Sequence, residues 1–266
     1  GYDPVDKVEI PLARSLAEKV VGLISTLYPQ IMGKGITERI LELEEDYGKL
    51  DPAVCLKIAE EVAKEKFCKF ENQLEAIEAG VRIAFAYTTL GVVSSPIEGF
   101  TGIKIFKTKS GKEYFSPYYA GPIRSAGGTG AAFSLVIVDY LREMFGYEKY
   151  DPSPEEVKRT VIELIGYHER ITNLQYFPTE EEMVFLAENI PIQVNGDPST
   201  KVEVSNFKNL ERIETNFIRG GMCLTIAEGL AQKAPKLWKR LEKWSKEMGL
   251  EHWSFMGEFI ALQKKI

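Results

Sequence analysis

The sequence predicts a mainly α protein, with about eight or nine helices and two small antiparallel β-hairpins, compact rather than a long bundle. Three observations carry that expectation. Apolar residues recur at three- and four-residue spacing through most of residues 1–92. Helix-start signals recur at Asp51-Pro52, Ser153-Pro154-Glu155-Glu156 and Thr179-Glu180-Glu181-Glu182. Only two stretches alternate in the way a half-buried strand requires. The organisation follows as an N-terminal helical region over 1–92 and a second helical region over 93–266, which carries the hairpins and a glycine-rich loop. The two are able to form one compact unit.

Leu12, Leu16, Val20, Leu23 and Leu27 mark a first helix over about Ile10 to Tyr28. A turn at Gly33 and Gly35 leads to a second near Ile36–Tyr47, acidic at Glu42, Glu44, Glu45 and Asp46. The acidic run reads as a solvated face. Asp51-Pro52 starts a helix to about Phe67, and another runs from about Asn72 to Val92. Ser94-Ser95-Pro96 and Gly99 break the pattern. Ile103–Lys107 alternates, Lys109-Ser110-Gly111-Lys112 turns, and Glu113-Tyr114-Phe115 completes the first hairpin. A helix over about Gly128 to Phe145 ends at Gly146. The two capping boxes start helices to about Thr172 and Asn189. Their glutamates suit a helix first turn, and adjacent positions point in different directions, so a structural role is expected rather than a metal site. Asn195-Gly196-Asp197-Pro198 between two alternating runs gives the second hairpin. Helices from about Met222 to Gly229 or beyond, and from Pro235 to Met248, close the chain.

The least ordinary stretch is Tyr118–Ala132, where four glycines and a proline stand between paired tyrosines and an apolar run. A glycine-rich turn opening a helix leaves amide N–H groups free for a phosphate, and Arg124 adds a guanidinium suited to the same anion. Neither the P-loop nor the dinucleotide fingerprint is matched. Tight packing of the following helix against its neighbours explains the same glycines. Thr215–Gly221 repeats the theme, with Arg219 beside Gly220 and Gly221.

Lys236, Lys239, Arg240, Lys243 and Lys246 recur on one helix face beside an apolar stripe of Leu237, Leu241, Trp244 and Met248. Such a ridge tracks a phosphate backbone or is a solvated face. Tyr118 and Tyr119 are either a stacking platform for unpaired bases or core aromatics. His168 and His252 lack partners for a metal pair or a nucleophile, and His168 reads as a hydrogen-bonding structural residue. No D-x-D pair or nucleophile elbow occurs, so no self-contained active site is expected.

Lys and Arg number 33 against 39 Asp and Glu, a net charge of −6. Nucleic-acid binding would therefore need a local basic patch. The three cysteines, Cys55, Cys68 and Cys223, have no C-x-x-C spacing and are expected as reduced thiols in a cytoplasmic protein. No stretch approaches a membrane span. The Glu- and Lys-rich surface is compatible with a thermophile. The chain opens on Gly1 and reads as a piece of something longer.

Tyr118–Thr129, Tyr167-His-Glu-Arg170, Leu174-Gln-Tyr176, Asn189-Ile-Pro-Ile192, Val202-Glu-Val-Ser205 and Glu214-Thr-Asn216 with Arg219-Gly-Gly221 together resemble one family. It is the amino-terminal region of the large subunit of archaeal family-D DNA polymerase. The resemblance spans most of the chain, less the family's usual first stretch. It implies a replicative polymerase whose large subunit extends a primer beside a small subunit carrying a 3′→5′ exonuclease. In the family the catalytic aspartates sit in a double-psi β-barrel downstream, as do zinc-binding cysteines. This piece is therefore expected to be non-catalytic and to hold no cofactor, with magnesium serving the full polymerase. Its expected partners are DNA, the catalytic core of the same subunit and the small subunit, with self-association left open.

The expected DNA-binding residues are Arg124 and Arg219 beside their glycine loops, with Gly127 and Gly128, and the track Lys236, Lys239, Arg240 and Lys243. Two other readings stay open. One is an assembly module without DNA contact. The other is a phosphate- or nucleotide-binding enzyme domain using Gly127–Gly130.

Overall fold

A computed structural model describes residues 13–92, 94–198 and 200–265. Helix α1 (Leu16–Ile24) starts where the Ser15 hydroxyl accepts the Glu18 N–H, satisfying one orphan donor of the first turn. The part of the expected first helix that falls on residues 10–12 lies outside the described residues. Helices α2 (Ile36–Tyr47), α3 (Pro52–Ala63) and α4 (Gln73–Thr88) follow. The N-caps of α3 and α4 are Asp51, which accepts from Ala53 N–H, and Asn72, which accepts from Glu75 N–H. Helix α4 buries a continuous run from Ala76 to Tyr87 apart from Glu78, and α3 packs along it.

The first hairpin forms as expected. Strand β1 (Phe100–Lys107) pairs antiparallel with β2 (Glu113–Tyr119), with a bulge between Phe100 and Gly102. The second hairpin does not form. Residues Asn195–Gly196 are instead a third strand, β3, parallel to β2 in a sheet of order β1-β2-β3. The Asn-Gly pair that signals a hairpin turn is held by tertiary partners. Asn195 is buried, donates to the Ser116 hydroxyl at 3.1 Å and accepts from Arg219 at 3.0 Å. Residues 202–204 pair with 216–218, through Val204 N–H to Asn216 O and Ile218 N–H to Val202 O, rather than with 191–194.

Helices α5 (Gly127–Met144), α6 (Pro154–Arg170) and α7 (Glu180–Asn189) come next. Both expected capping boxes are complete. Ser153 and Glu156 exchange hydrogen bonds at the start of α6, and Thr179 and Glu182 do so at α7. Helix α8 (Gly220–Leu224), a π-helical stretch over Thr225–Ala231 and α9 (Gln232–Trp244) run on without a break. The two helices expected there are thus one, with Pro235 inside it. An unexpected last helix, α10 (Phe255–Gln263), brings the α-helices to ten among the described residues.

One contiguous set of buried apolar side chains links α1 to α10. Helix α5 crosses its centre, with everything from Gly130 to Arg142 buried. Each large apolar side chain so buried contributes roughly 1.5–3 kcal/mol. One of the expected loop glycines is explained by this packing. A Cβ on Gly221 would stand 1.9 Å from the carbonyl oxygen of Tyr119, so only glycine lets α8 start against the end of β2. No helix among the described residues is long and apolar enough to cross a membrane.

Candidate nucleic-acid interface

Helix α9 turns Leu237 and Leu241 into the core and leaves Lys236, Lys239, Arg240 and Lys243 exposed, with Lys246 exposed in the turn just beyond it. Its apolar side is completed by Trp244, edge-on to Tyr47 of α2 at 5.9 Å. The basic side faces a groove whose other wall is Asp51, Pro52 and Thr129. Thr129 sits in the first turn of α5, so the glycine loop and the basic stripe meet in one place. Lys243 lies 3.6 Å from Asp51. Among the described residues, Lys236, Lys239 and Arg240 have no acidic partner within 4 Å.

The two glycines at the start of α5 differ in what surrounds them. Gly127 takes a φ of +72°, reserved in practice for glycine, as the chain turns into α5. A Cβ on Gly128 would meet the Glu228 carbonyl oxygen at 2.1 Å and the Lys233 Cγ at 2.7 Å. The space over Gly128 is therefore filled by the π-helical stretch of this chain.

Arg124 sits on the surface at the edge of the same region, its guanidinium engaged by the almost buried Glu228. The two share bonds of 2.9 and 2.6 Å, and Arg124 also donates to the Asn173 carbonyl at 3.2 Å. Burial pushes the Glu228 carboxyl up, but the Arg124 hydrogen bonds and the Gln175 N–H outweigh it and hold the group below its ordinary value.

Arg219 corrects the expectation of a second phosphate contact. It is 1 % exposed and faces Glu163 of α6 in the core. Arg159 binds the same carboxylate at 3.1 Å, and its outer nitrogens donate to the carbonyls of Phe207 and Thr215. An arginine beside a glycine pair reads as a surface anion site. Nothing in the local pattern shows that a glutamate distant in sequence lies opposite.

The tyrosine pair resolves to the core. Tyr119 is fully buried and shares a hydrogen bond with Ser134, while Tyr118 donates to Glu214 and is covered by Lys104, 4.7 Å from its ring centre. The exposed aromatic lies elsewhere. Phe177 is 45 % exposed and stacks on His168 at 4.2 Å between centroids and 14° between planes. His168 Nδ1 accepts the Leu174 N–H at 3.0 Å, the structural role expected of it. His252 has a partner after all, with Nε2 2.5 Å from the buried Asp139 carboxylate. Burial pushes the Cys55 thiol up to about 12, which removes it as a nucleophile.

A mainly α module with this order of motifs corresponds to one polymerase-subunit region. Residues 1–262 match the family described as DNA polymerase II large subunit DP2, N-terminal. The chain is 51 % identical over 266 residues to the DNA polymerase II large subunit of Nanoarchaeum equitans, covering 100 % of this chain and 21 % of that protein. Against its counterpart in Methanococcoides burtonii identity is 44 %, covering 98 % of this chain and 22 % of that protein. For Thermococcus kodakarensis the figures are 40 %, 100 % and 14 %. The chain belongs to the DNA polymerase II large subunit family, as its N-terminal region. It spans about a fifth of the length of most of these relatives.

Proposed function

We propose that this chain is the non-catalytic N-terminal module of a template-directed DNA polymerase and holds the phosphate backbone of DNA along the groove between α9 and the start of α5. The observation that carries this reading is the row of exposed cations Lys236, Lys239 and Arg240, without an acidic partner among the described residues, set against a net charge of −6. Solvated helix faces usually interleave both signs, whereas a single-sign stripe attracts a polyanion and releases its counterions. Lys243 extends the stripe beyond its loose pairing with Asp51. Arg124 adds to it only by leaving or sharing Glu228. In the whole subunit the module would sit beside the catalytic core, which would use magnesium, and the small exonuclease subunit. A nucleotide-binding enzyme domain is less well supported, because Lys233 and the π-helical stretch occupy the space over Gly128.

Binding of the chain to labelled DNA across a salt series tests the reading. Affinity should fall linearly with log salt, with a slope of about 0.9 per duplex phosphate neutralised. Alanine at Lys239, Arg240 and Lys243 together should flatten that slope by about two to three such contacts while leaving the melting temperature in place. Unchanged affinity and slope in the triple variant would remove the groove from DNA binding.

A second reading, assembly, has its own observation. Val184, Phe185 and Leu262 floor a shallow groove between α7 and α10, rimmed by Glu180, Glu181 and Glu188. Its acidic rim and apolar floor suit a basic amphipathic segment of a partner. Charge reversal at Glu181 and Glu188 would weaken capture of the small subunit or the catalytic core if this groove carries assembly.

A further inference from the structure

We infer that Phe177, backed by His168, is a stacking platform for an unpaired nucleobase, on a loop linked through Arg124 and Glu228 to the basic groove. The inference rests on the reading of the groove as a DNA backbone track and adds the form of DNA it selects. Large aromatic side chains on a protein surface are normally folded onto their own core, as Tyr118 and Tyr119 are. Phe177 instead has its ring stacked on an imidazole and keeps 45 % of the residue open to solvent.

The platform is held from behind at every step of its loop. Leu174 is buried and donates its N–H to His168 Nδ1, which fixes the orientation of the ring. Gln175 donates its N–H to Glu228 at 2.9 Å, and the Tyr176 hydroxyl binds Glu182 and receives Gln263. A base landing on Phe177 therefore meets an ordered ring and loses little side-chain freedom in the protein.

A chain of contacts joins its loop to the track. Asn173 and Gln175 touch Arg124 and Glu228, the Glu228 carbonyl lies against Gly128, and Thr129 lines the groove with Lys236 and Lys239. Backbone-tracking cations beside a sequence-tolerant aromatic surface are the two parts of a single-strand binding site. A duplex offers phosphates to the cations but no free base face to the ring. The site is thus built for a strand that has left its partner.

The test uses the purified chain and a single-stranded oligonucleotide carrying 2-aminopurine, with a duplex of equal length for comparison. The native chain should quench the 2-aminopurine fluorescence and bind the single strand more tightly than the duplex. Phe177→Ala should abolish the quench and weaken single-strand binding about 5- to 150-fold, with duplex affinity and the salt slope unchanged. Phe177→Trp should restore both signals, and Phe177→Leu, which keeps apolar bulk without a ring, should not. Native quench and affinity in Phe177→Ala would overturn the platform and leave the track standing. Absence of salt-dependent binding to either form would overturn both.

Discussion

The Arg219 guanidinium closes on the Glu163 carboxylate, with Nη2 2.5 Å from Oε2 and Nε 3.0 Å from Oε1, while the Arg219 backbone N–H reaches Oε1 at 2.9 Å. The bond ties α6 to the start of α8 inside the protein. Arg159 shares the same carboxylate, so two guanidinium groups face one carboxylate there. Asn195 and the carbonyls around Arg159 supply the remaining acceptors.

Removing the carboxylate that both guanidinium groups share strands charge in a dry interior, which costs about 3–5 kcal/mol. Glu163→Gln should therefore lower the unfolding free energy by about that amount in equilibrium denaturation, through loss of core structure rather than of a DNA contact. A loss below about 1 kcal/mol would show that water reaches Glu163 and that the pair is not sealed.

Two glycine substitutions should move stability in opposite directions. Gly22 is exposed in α1, and a Cβ added there would meet nothing within 4 Å. Ala at that position should stabilise by about 0.5–1 kcal/mol through helix propensity. Gly221→Ala drives a methyl into the Tyr119 carbonyl and should cost at least about 1–3 kcal/mol. Thermal unfolding of both variants side by side measures the contrast. Equal and small shifts would mean that α8 can slide away from β2.

Asp139 gives the protein an acid sensitivity. It lies fully buried in α5 and accepts from Arg142 at 2.7 Å and from Trp253 at 2.8 Å, with His252 on the same oxygen as Trp253. Burial pushes its carboxyl up, but His252 and the Arg142 guanidinium overcome that and hold it below the ordinary value. A carboxyl depressed by folding stabilises fully above the unfolded aspartate value, about 3.9, and loses that contribution as pH falls through the folded value. The stability gap between native protein and Asp139→Asn should thus be widest near neutrality and shrink below about pH 4. Urea midpoints across pH measure it, and a gap that widens in acid would reverse the sign.

Local chemistry was legible wherever neighbours in sequence are also partners in space. The Ser153–Glu156 and Thr179–Glu182 boxes, the Asp51 and Asn72 caps and the first hairpin all close within a few residues. The basic and apolar stripes of α9 follow from period alone. What escaped was decided at a distance. Asn195 and Gly196 carry a turn signal that Ser116, Arg219 and Tyr119 override. Helix α10 was hidden because its apolar residues do not favour one face and Gly257 interrupts them. Phe177 carries no pattern, since its exposure depends on where the surrounding loop is anchored.

The π-helical stretch sets the rotational phase of α9. Its wider turn closes hydrogen bonds five residues apart instead of four, so it takes up one residue that an α-helix would not. Were the same residues from Gly220 to Trp244 wound as uniform α-helix, with none removed, everything beyond Ala231 would rotate by about 100° about the axis. Leu237 and Leu241 would leave the interior and the lysines would swing toward it. The outward aim of the cations is in this sense held by the wide turn that absorbs one surplus residue.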